Sequence, residues 1–379
     1  MPSLVVKKIE LFFKGFLYRF FCLVLNKGKN SNWPVKPVQV KSLLILRQDK
    51  LGDMVAIIPT IHAIKREFPH IQLEVMASAH NRILIDNDPT VKAVHIYRKN
   101  IFFDWPMIQR LRHRHFDIVY DPNCLDSVTG LLLSKIIGGR AIKAASRKQK
   151  LALFYDYCEP YLPNGEDHNI DNGFLIFNLF GVKPETIDPF LPVFIPADSR
   201  AKASIFYENL YSKAFFLIGV NISTGSFTRA LPLNKYLSII EAINKKYSSL
   251  RFIIFCTMDQ RQEGIELLST VTAKVAIVPE GLSLLDAAAI LEKVNLLISP
   301  DTSLIHLARL MKIPVIGFYT AHKRNFSSWR PYRQEYGTVV SQDIDSVHDI
   351  QPEQVVAEFD WVLNIMKKTS SAAIPAARN

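Results

Sequence analysis

Residues 296–319, LLISPDTSLIHLARLMKIPVIGFY, decide the fold of this chain. A short apolar run at 296–298 reaches a polar corner at Ser299-Pro300-Asp301-Thr302-Ser303. Leu304, Leu307, Ala308 and Met311 then follow at helical spacing, and Pro314 opens a second apolar run. The pattern reads as strand, turn, helix, strand. Asp301, Thr302 and Ser303 are all good N-cap residues, so the helix starts among them with free backbone N–H groups and its positive dipole end at the mouth of the turn. Such an end suits a phosphate, although a capped helix with no ligand has the same appearance, because strand–turn–helix units are common.

Working outward, the same alternation recurs twice. In the first half, apolar runs at 43–46 (LLIL), 73–76, 93–97 and 118–120 are separated by helical patterns, the first of them over about 54–68. Residues 148–196 are less regular, carry several prolines and one helical stretch at 172–180, and read as connection and domain edge. In the second half a strand at 215–221 (FFLIGVN) leads through a loop at 222–231 to a helix near 233–246. A strand at 252–256, a helix near 262–269, a short strand at 275–278 and a helix at 283–292 then precede the opening stretch. The expected architecture is α/β: two doubly wound Rossmann-like domains facing a cleft, the GT-B arrangement. Its expected parts are an arm and linker at 1–41, a first domain at 42–196, a second at 197–350, and a closing helix and tail at 351–379.

With 379 residues, 49% of them hydrophobic and 21% charged, the chain is globular and long enough for two cores. Its four cysteines (Cys22, Cys124, Cys158, Cys256) lie far apart without metal-ligand spacing and are expected as free thiols in a reducing compartment. The net charge of +11 is uneven: the first 41 residues hold eight Lys and Arg against Glu10 alone. In that arm Phe12, Phe13, Phe16, Phe20 and Phe21 surround Glu10, Lys14 and Arg19, which recur at four- or five-residue intervals. This pattern reads as an interfacial helix on an anionic membrane surface; the plainer alternative is a helix packed on the protein itself. Three charges interrupt the run, which is too short to read as a transmembrane span. Nucleic acid is not indicated, because the aromatics are phenylalanines in an apolar run rather than platforms interleaved with Arg.

Two motifs resemble those of glycosyltransferase family 9, the lipopolysaccharide heptosyltransferases and their relatives. One is Asp301-Thr302-Ser303-Leu304-Ile305-His306-Leu307-Ala308 with the Pro314-Val315 strand, where Ser303 stands in place of the family's usual Gly. The other is Arg47-Gln48-Asp49-Lys50-Leu51-Gly52-Asp53, followed by Pro59. The resemblance implies that Asp53 is the general base that removes a proton from an acceptor hydroxyl; on the residues alone it reads as a helix N-cap. Asp49 is the competing carboxylate, Gly52 allows a tight turn, and Lys50 is a candidate to meet an anionic acceptor, with a solvated loop lysine as the plainer reading. In the loop after FFLIGVN, Ser223, Thr224 and Thr228 offer hydroxyls to phosphate oxygens. Arg229 takes the place of a family lysine, with Leu231 where Trp is usual. Asp301, Thr302 and Ser303 complete the expected donor site, and Asp259 and Glu263 are candidates for a nucleoside hydroxyl. His306 reads as structural. Trp329-Arg330-Pro331-Tyr332 resembles a family run near the donor and lines the expected pocket, with Lys323 and Arg324 close by.

The implied activity is inverting transfer of a sugar, heptose first, from a nucleotide-sugar such as ADP-heptose to a growing lipopolysaccharide core. The implied partners are a nucleotide-sugar donor, a lipid-linked saccharide acceptor and, through the arm, the inner face of the cytoplasmic membrane. No cofactor is implied. The Asp86-Asn87-Asp88 and Asp343-Ile344-Asp345 spacings lie outside these turns, and Arg229 with the helix end can do a metal's electrostatic work, so a metal-independent reaction is expected. Two alternatives are a nucleotide-sugar epimerase on the same fold, which would need no acceptor, and a non-catalytic relative indifferent to Asp53.

Overall fold

The computed structural model describes residues 33–124, 126–162, 168–210, 215–334 and 336–369, with Leu25, Lys27, Gly28 and Pro375. The amphipathic stretch of the N-terminal arm, Cys22 and nearly all of the C-terminal tail lie outside the described residues. Among the described residues no helix is long and apolar enough to cross a membrane.

Six parallel strands form the first sheet: β1 (Ser42–Arg47), β2 (Gln72–Ser78), β3 (Ala93–Tyr97), β4 (Ile118–Asp121), β5 (Ile142–Ala145) and β6 (Tyr157–Cys158), in the order β3-β2-β1-β4-β5-β6. The second sheet repeats the plan with β7 (Phe216–Asn221), β8 (Leu250–Phe255), β9 (Val275–Ile277), β10 (Leu296–Pro300), β11 (Val315–Tyr319) and β12 (Tyr336–Val340), in the order β12-β11-β10-β7-β8-β9. Each half is therefore doubly wound, with its order reversing between the first and fourth strands. Such reversal points open a crevice at the carboxyl ends of the strands. Here they fall at β1/β4 and β7/β10, where the sequence motifs sit.

The central strands are apolar on both faces because helices cover both. Leu43, Leu44 and Ile45 of β1 and Leu296, Leu297 and Ile298 of β10 are fully buried, and burial of each such side chain contributes about 1.5–3 kcal/mol. The helices are α1 (Leu51–Glu67), α2 (Ile101–His113), α3 (Val128–Gly138), α4 (Asn169–Phe174), α5 (Ile176–Leu179), α6 (Ala197–Glu208), α7 (Leu233–Lys246), α8 (Arg261–Thr270), α9 (Leu284–Leu291), α10 (Ser303–Leu310), α11 (Lys323–Trp329) and α12 (Pro352–Thr369). Of these, α12 lays Val355, Phe359, Val362, Leu363 and Met366, one helical face, onto the core of the second sheet.

Residues 148–196 differ from their reading as an edge. Ile170, Phe174, Ile176, Phe177, Leu179, Ile187, Val193 and Ile195 are buried in the main core. Close packing explains the short helix there: a Cβ on Gly173 would lie 2.6 Å from Thr60 Oγ1 of α1, so α4 seats on α1 only with glycine at that position. Strands β5, β6 and β12 were not expected. In β5 the run is interrupted by Lys143, whose ammonium is buried by donating to Ala141 O at 2.7 Å and pairing with Asp156 at 3.0 Å. Helix α6 also went unread, because its buried face is only Ser199, Ala203 and Tyr207, packed on α9.

Candidate active site

Strand β1 delivers Arg47, and the chain turns through residues 48–50 into α1. The buried Arg47 guanidinium organises this turn. Its Nε donates to the Asp53 carbonyl at 2.8 Å, its Nη2 to Asp53 Oδ1 at 3.1 Å, and its Nη1 to Asp49 Oδ2 at 3.4 Å. Asp53 Oδ2 accepts from the Lys50 N–H at 3.1 Å, so the carboxylate closes the first turn of α1 from within and still remains 23% exposed. Buried Asn81 supports the turn from below, donating to Arg47 O at 2.8 Å while accepting from Ser78 N at 2.8 Å. Burial pushes the Asp49 carboxyl up, against the pull of Arg47. Lys50 is exposed.

Beside this turn, at the end of β4, Asp121 is buried with Lys148 at 3.0 Å. It also accepts from Tyr155 Oη at 2.7 Å and from Asn123 N at 3.1 Å. Gly130 of α3 packs against this carboxylate, since a Cβ there would stand 2.5 Å from Oδ2.

In the second sheet Asn221 ends β7 and ties the two loops of the reversal together. Its Nδ2 donates to Ser299 Oγ at 2.9 Å and Thr302 Oγ1 at 3.1 Å, and its Oδ1 accepts from Ser223 N at 3.1 Å. Thr302 is the N-cap of α10, yet with its hydroxyl turned to Asn221 it makes no side-chain cap, and the helix start stays open to an anion. Asp301 plays a different part from the phosphate contact expected of it. Its N–H is used by Phe318 O at 3.2 Å, and a carboxylate repels phosphate. Instead its carboxylate accepts from Asn325 Nδ2 at 3.1 Å and faces Arg229 Nη1 at 3.7 Å, which orients that 46%-exposed cation. Ser223 is likewise engaged, accepting from Thr257 N at 2.7 Å across to β8. Thr224 closes a small turn with Ser226, and Thr228 bonds Ser226 in turn. Asp259 and Glu263 lie exposed beyond Thr257 without side-chain hydrogen bonds among the described residues. The structure thus gathers Arg229, Asp301, Thr302 and Ser303 and leaves those two acidic residues outside.

Burial raises the Asp301 carboxyl, with Arg229 and Asn325 pulling the other way. A carboxyl raised in the folded state costs nothing while protonated in both states, and costs stability once pH rises from the unfolded toward the folded value. Asp301→Asn is therefore expected to melt above the wild type at neutral pH and to converge with it below about pH 3.5, in thermal melts across that range.

The two halves meet along α1 and α10. A Cβ on Gly52 would lie 3.9 Å from the His306 ring and 3.8 Å from Trp329, so the Asp53 turn stands directly opposite the start of α10. Burial drives His306 down to about 3, so it packs as a neutral ring, 5.0 Å from Trp329 between centroids. The Trp329-Arg330-Pro331-Tyr332 run bridges the halves. His168 accepts at Nδ1 from Ile170 N, which leaves Nε2–H to donate to Arg330 O at 2.8 Å, and it stacks on Tyr332. The Tyr332 hydroxyl donates to Asp171, and Arg309 is buried between the Phe190 and Tyr332 rings, 4.9 Å from each. Asp86 holds Arg82 and Asp88 holds His62, while Asp343 accepts from Asp345 N.

Sequence reasoning missed Arg47, Asn221, Asn81, Asn325 and His168. For Arg47 and Asn221 a signal existed: each is a polar residue ending an otherwise apolar strand at a reversal point.

The model of glycosyltransferase family 9 (heptosyltransferase) matches residues 105–358. The chain belongs to glycosyltransferase family 9. Across 330 residues this family 9 chain is 23% identical to the lipopolysaccharide core heptosyltransferase OpsX of Haemophilus influenzae, covering 84% of the chain and 87% of OpsX. The solved family 9 transferase of Veillonella parvula superposes with a TM-score of 0.71 at 16% identity, over 86% of this chain and 97% of that one. E. coli heptosyltransferase WaaC, solved with ADP, gives 0.64 at 15% identity over 87% and 99%. These neighbours share the GT-B fold of the family 9 chain.

Proposed function

We propose that this family 9 glycosyltransferase moves heptose from ADP-heptose to a saccharide of the lipopolysaccharide core, with inversion and without a metal. The observation that carries the reading is the opposition across the seam: the carboxylate-bearing turn Gly52-Asp53 on one side, the open start of α10 with Arg229 on the other. Asp53 takes the proton of the acceptor hydroxyl, whose oxygen attacks the anomeric carbon opposite the diphosphate. The bond from that carbon to the diphosphate breaks, and the diphosphate leaves with the electron pair. Arg229 and the N–H groups at Ser303 meet the charge that develops there. The names of OpsX and WaaC, the latter solved with ADP, support ADP-heptose as the donor and the lipopolysaccharide core as the acceptor. A lipid-linked acceptor places the work at the inner face of the cytoplasmic membrane.

Calorimetric titration with ADP, ADP-heptose and the UDP and GDP sugars tests the donor. ADP compounds are expected to bind preferentially, and Arg229→Ala to weaken ADP roughly tenfold or more, the loss of a charge-assisted contact. Preference for UDP or GDP compounds would replace the sugar, and binding of none would return the non-catalytic alternative.

A further inference from the structure

Helix α2 displays an aromatic turn to solvent. Phe102 is 86%, Phe103 69% and Trp105 45% exposed, three large apolar side chains within four residues. The turn is built rigidly. Buried Asp104 accepts from Arg98 N at 3.0 Å and Asn100 N at 3.1 Å, and Asn100 caps the helix by accepting from Phe102 N at 3.1 Å. Asp104 is also the only acidic residue from 98 to 115, a stretch that carries Arg98, Lys99, Arg110, Arg112 and Arg114. Among the described residues no acidic side chain pairs with Lys99, Arg110 or Arg112, and all three are exposed. Rings at one end of a helix with unpaired cations along the rest match the boundary of an anionic bilayer, where aromatics sit at headgroup level and Lys and Arg meet phosphates. Position supports the same occupant: the turn follows the carboxyl end of β3, the end of the sheet that also carries Asp53, and two strand spacings, about 10 Å, separate β3 from β1.

We infer that residues 98–112 dock this protein on an anionic membrane surface, with Phe102, Phe103 and Trp105 entering the interface and Lys99, Arg110 and Arg112 at the headgroups. The inference rests on the reading of a lipid-linked acceptor, whose saccharide would then meet Asp53 from the same side.

Sedimentation of the full chain with phosphatidylcholine vesicles, with and without phosphatidylglycerol, tests it. The variant Phe102→Ser/Phe103→Ser/Trp105→Ser is expected to lose roughly tenfold or more in partition onto the anionic vesicles. Lys99→Gln/Arg110→Gln/Arg112→Gln should lose about fivefold per cation removed, on anionic vesicles only. Transfer to a water-soluble acceptor fragment should be unchanged in both variants. Unaltered partition would overturn the inference, as would loss of transfer to the soluble fragment, which would make the face an acceptor subsite. A dimer that the serine variant splits, with partition intact, would assign the face to a second copy. Failure of the proposed transfer reaction would leave the vesicle measurement readable by itself.

Discussion

Asp53→Asn is expected to fold, to bind ADP within about twofold of the wild type, and to lose about three orders of magnitude in kcat, the middle of what a positioned general base supplies. Asparagine has the shape of the aspartate but no basic oxygen. Its carbonyl can replace only one of the two acceptors that now serve Arg47 Nη2 and Lys50 N, so one hydrogen bond of about 1 kcal/mol is also lost. That cost lowers Tm by a few degrees and does not touch the far side of the cleft, which is why nucleotide affinity separates chemistry from collapse. Asp49→Asn is the matched control. Its carboxyl lies on the same turn, held by the same guanidinium, but burial already disfavours its charge. Its replacement should change kcat less than tenfold and raise stability at neutral pH. Were Asp49→Asn the inactive variant and Asp53→Asn the active one, the base would have been assigned to the wrong carboxylate.

The legibility of this chain follows from which interactions are local. Strands β1 and β10 announce themselves because burial on both faces demands unbroken apolar runs, and the turns after them because N-cap chemistry uses few residue types. Strand β5 was hidden by Lys143, whose solvation is replaced by carbonyls and an aspartate that only the fold brings near. The site divides in the same way. Asp53, Thr302 and Arg229 are candidates that their turns and the family resemblance point to. Asn221 and Asn81, which fix how those turns lie, act through partners up to 81 positions away in sequence; the end of an apolar strand marks Asn221, and nothing local marks Asn81. Asp301 sits at a helix start, which in sequence marks a phosphate contact, whereas in the fold its carboxylate faces Arg229 and accepts from Asn325. The bridge of His168, Tyr332 and Arg309 joins residues from both halves and could not be seen in either.

The largest stability effect is expected at Lys148. Its ammonium and the Asp121 carboxylate are both buried, and no water can replace either partner. Removing one member of such a pair typically costs about 3–5 kcal/mol, because the other charge stays desolvated and unmatched. Lys148→Met should therefore lower Tm by about ten degrees. The pair is not itself a large net source of stability, since desolvation offsets most of the attraction. Hence Asp121→Asn/Lys148→Met, in which the amide carbonyl accepts from Asn123 N and the amide N–H can donate to the Tyr155 hydroxyl, should recover most of what the single change loses. The coupling between the two positions in a double-mutant cycle is the deciding quantity. A purely packing role for Lys148 predicts additive losses, and the charge argument predicts strong non-additivity. The pair also lies at the β1/β4 reversal, where both charges act on Asp49. Where it is folded, Lys148→Met should therefore change kcat by less than tenfold, as Asp49→Asn does, while the double variant restores stability.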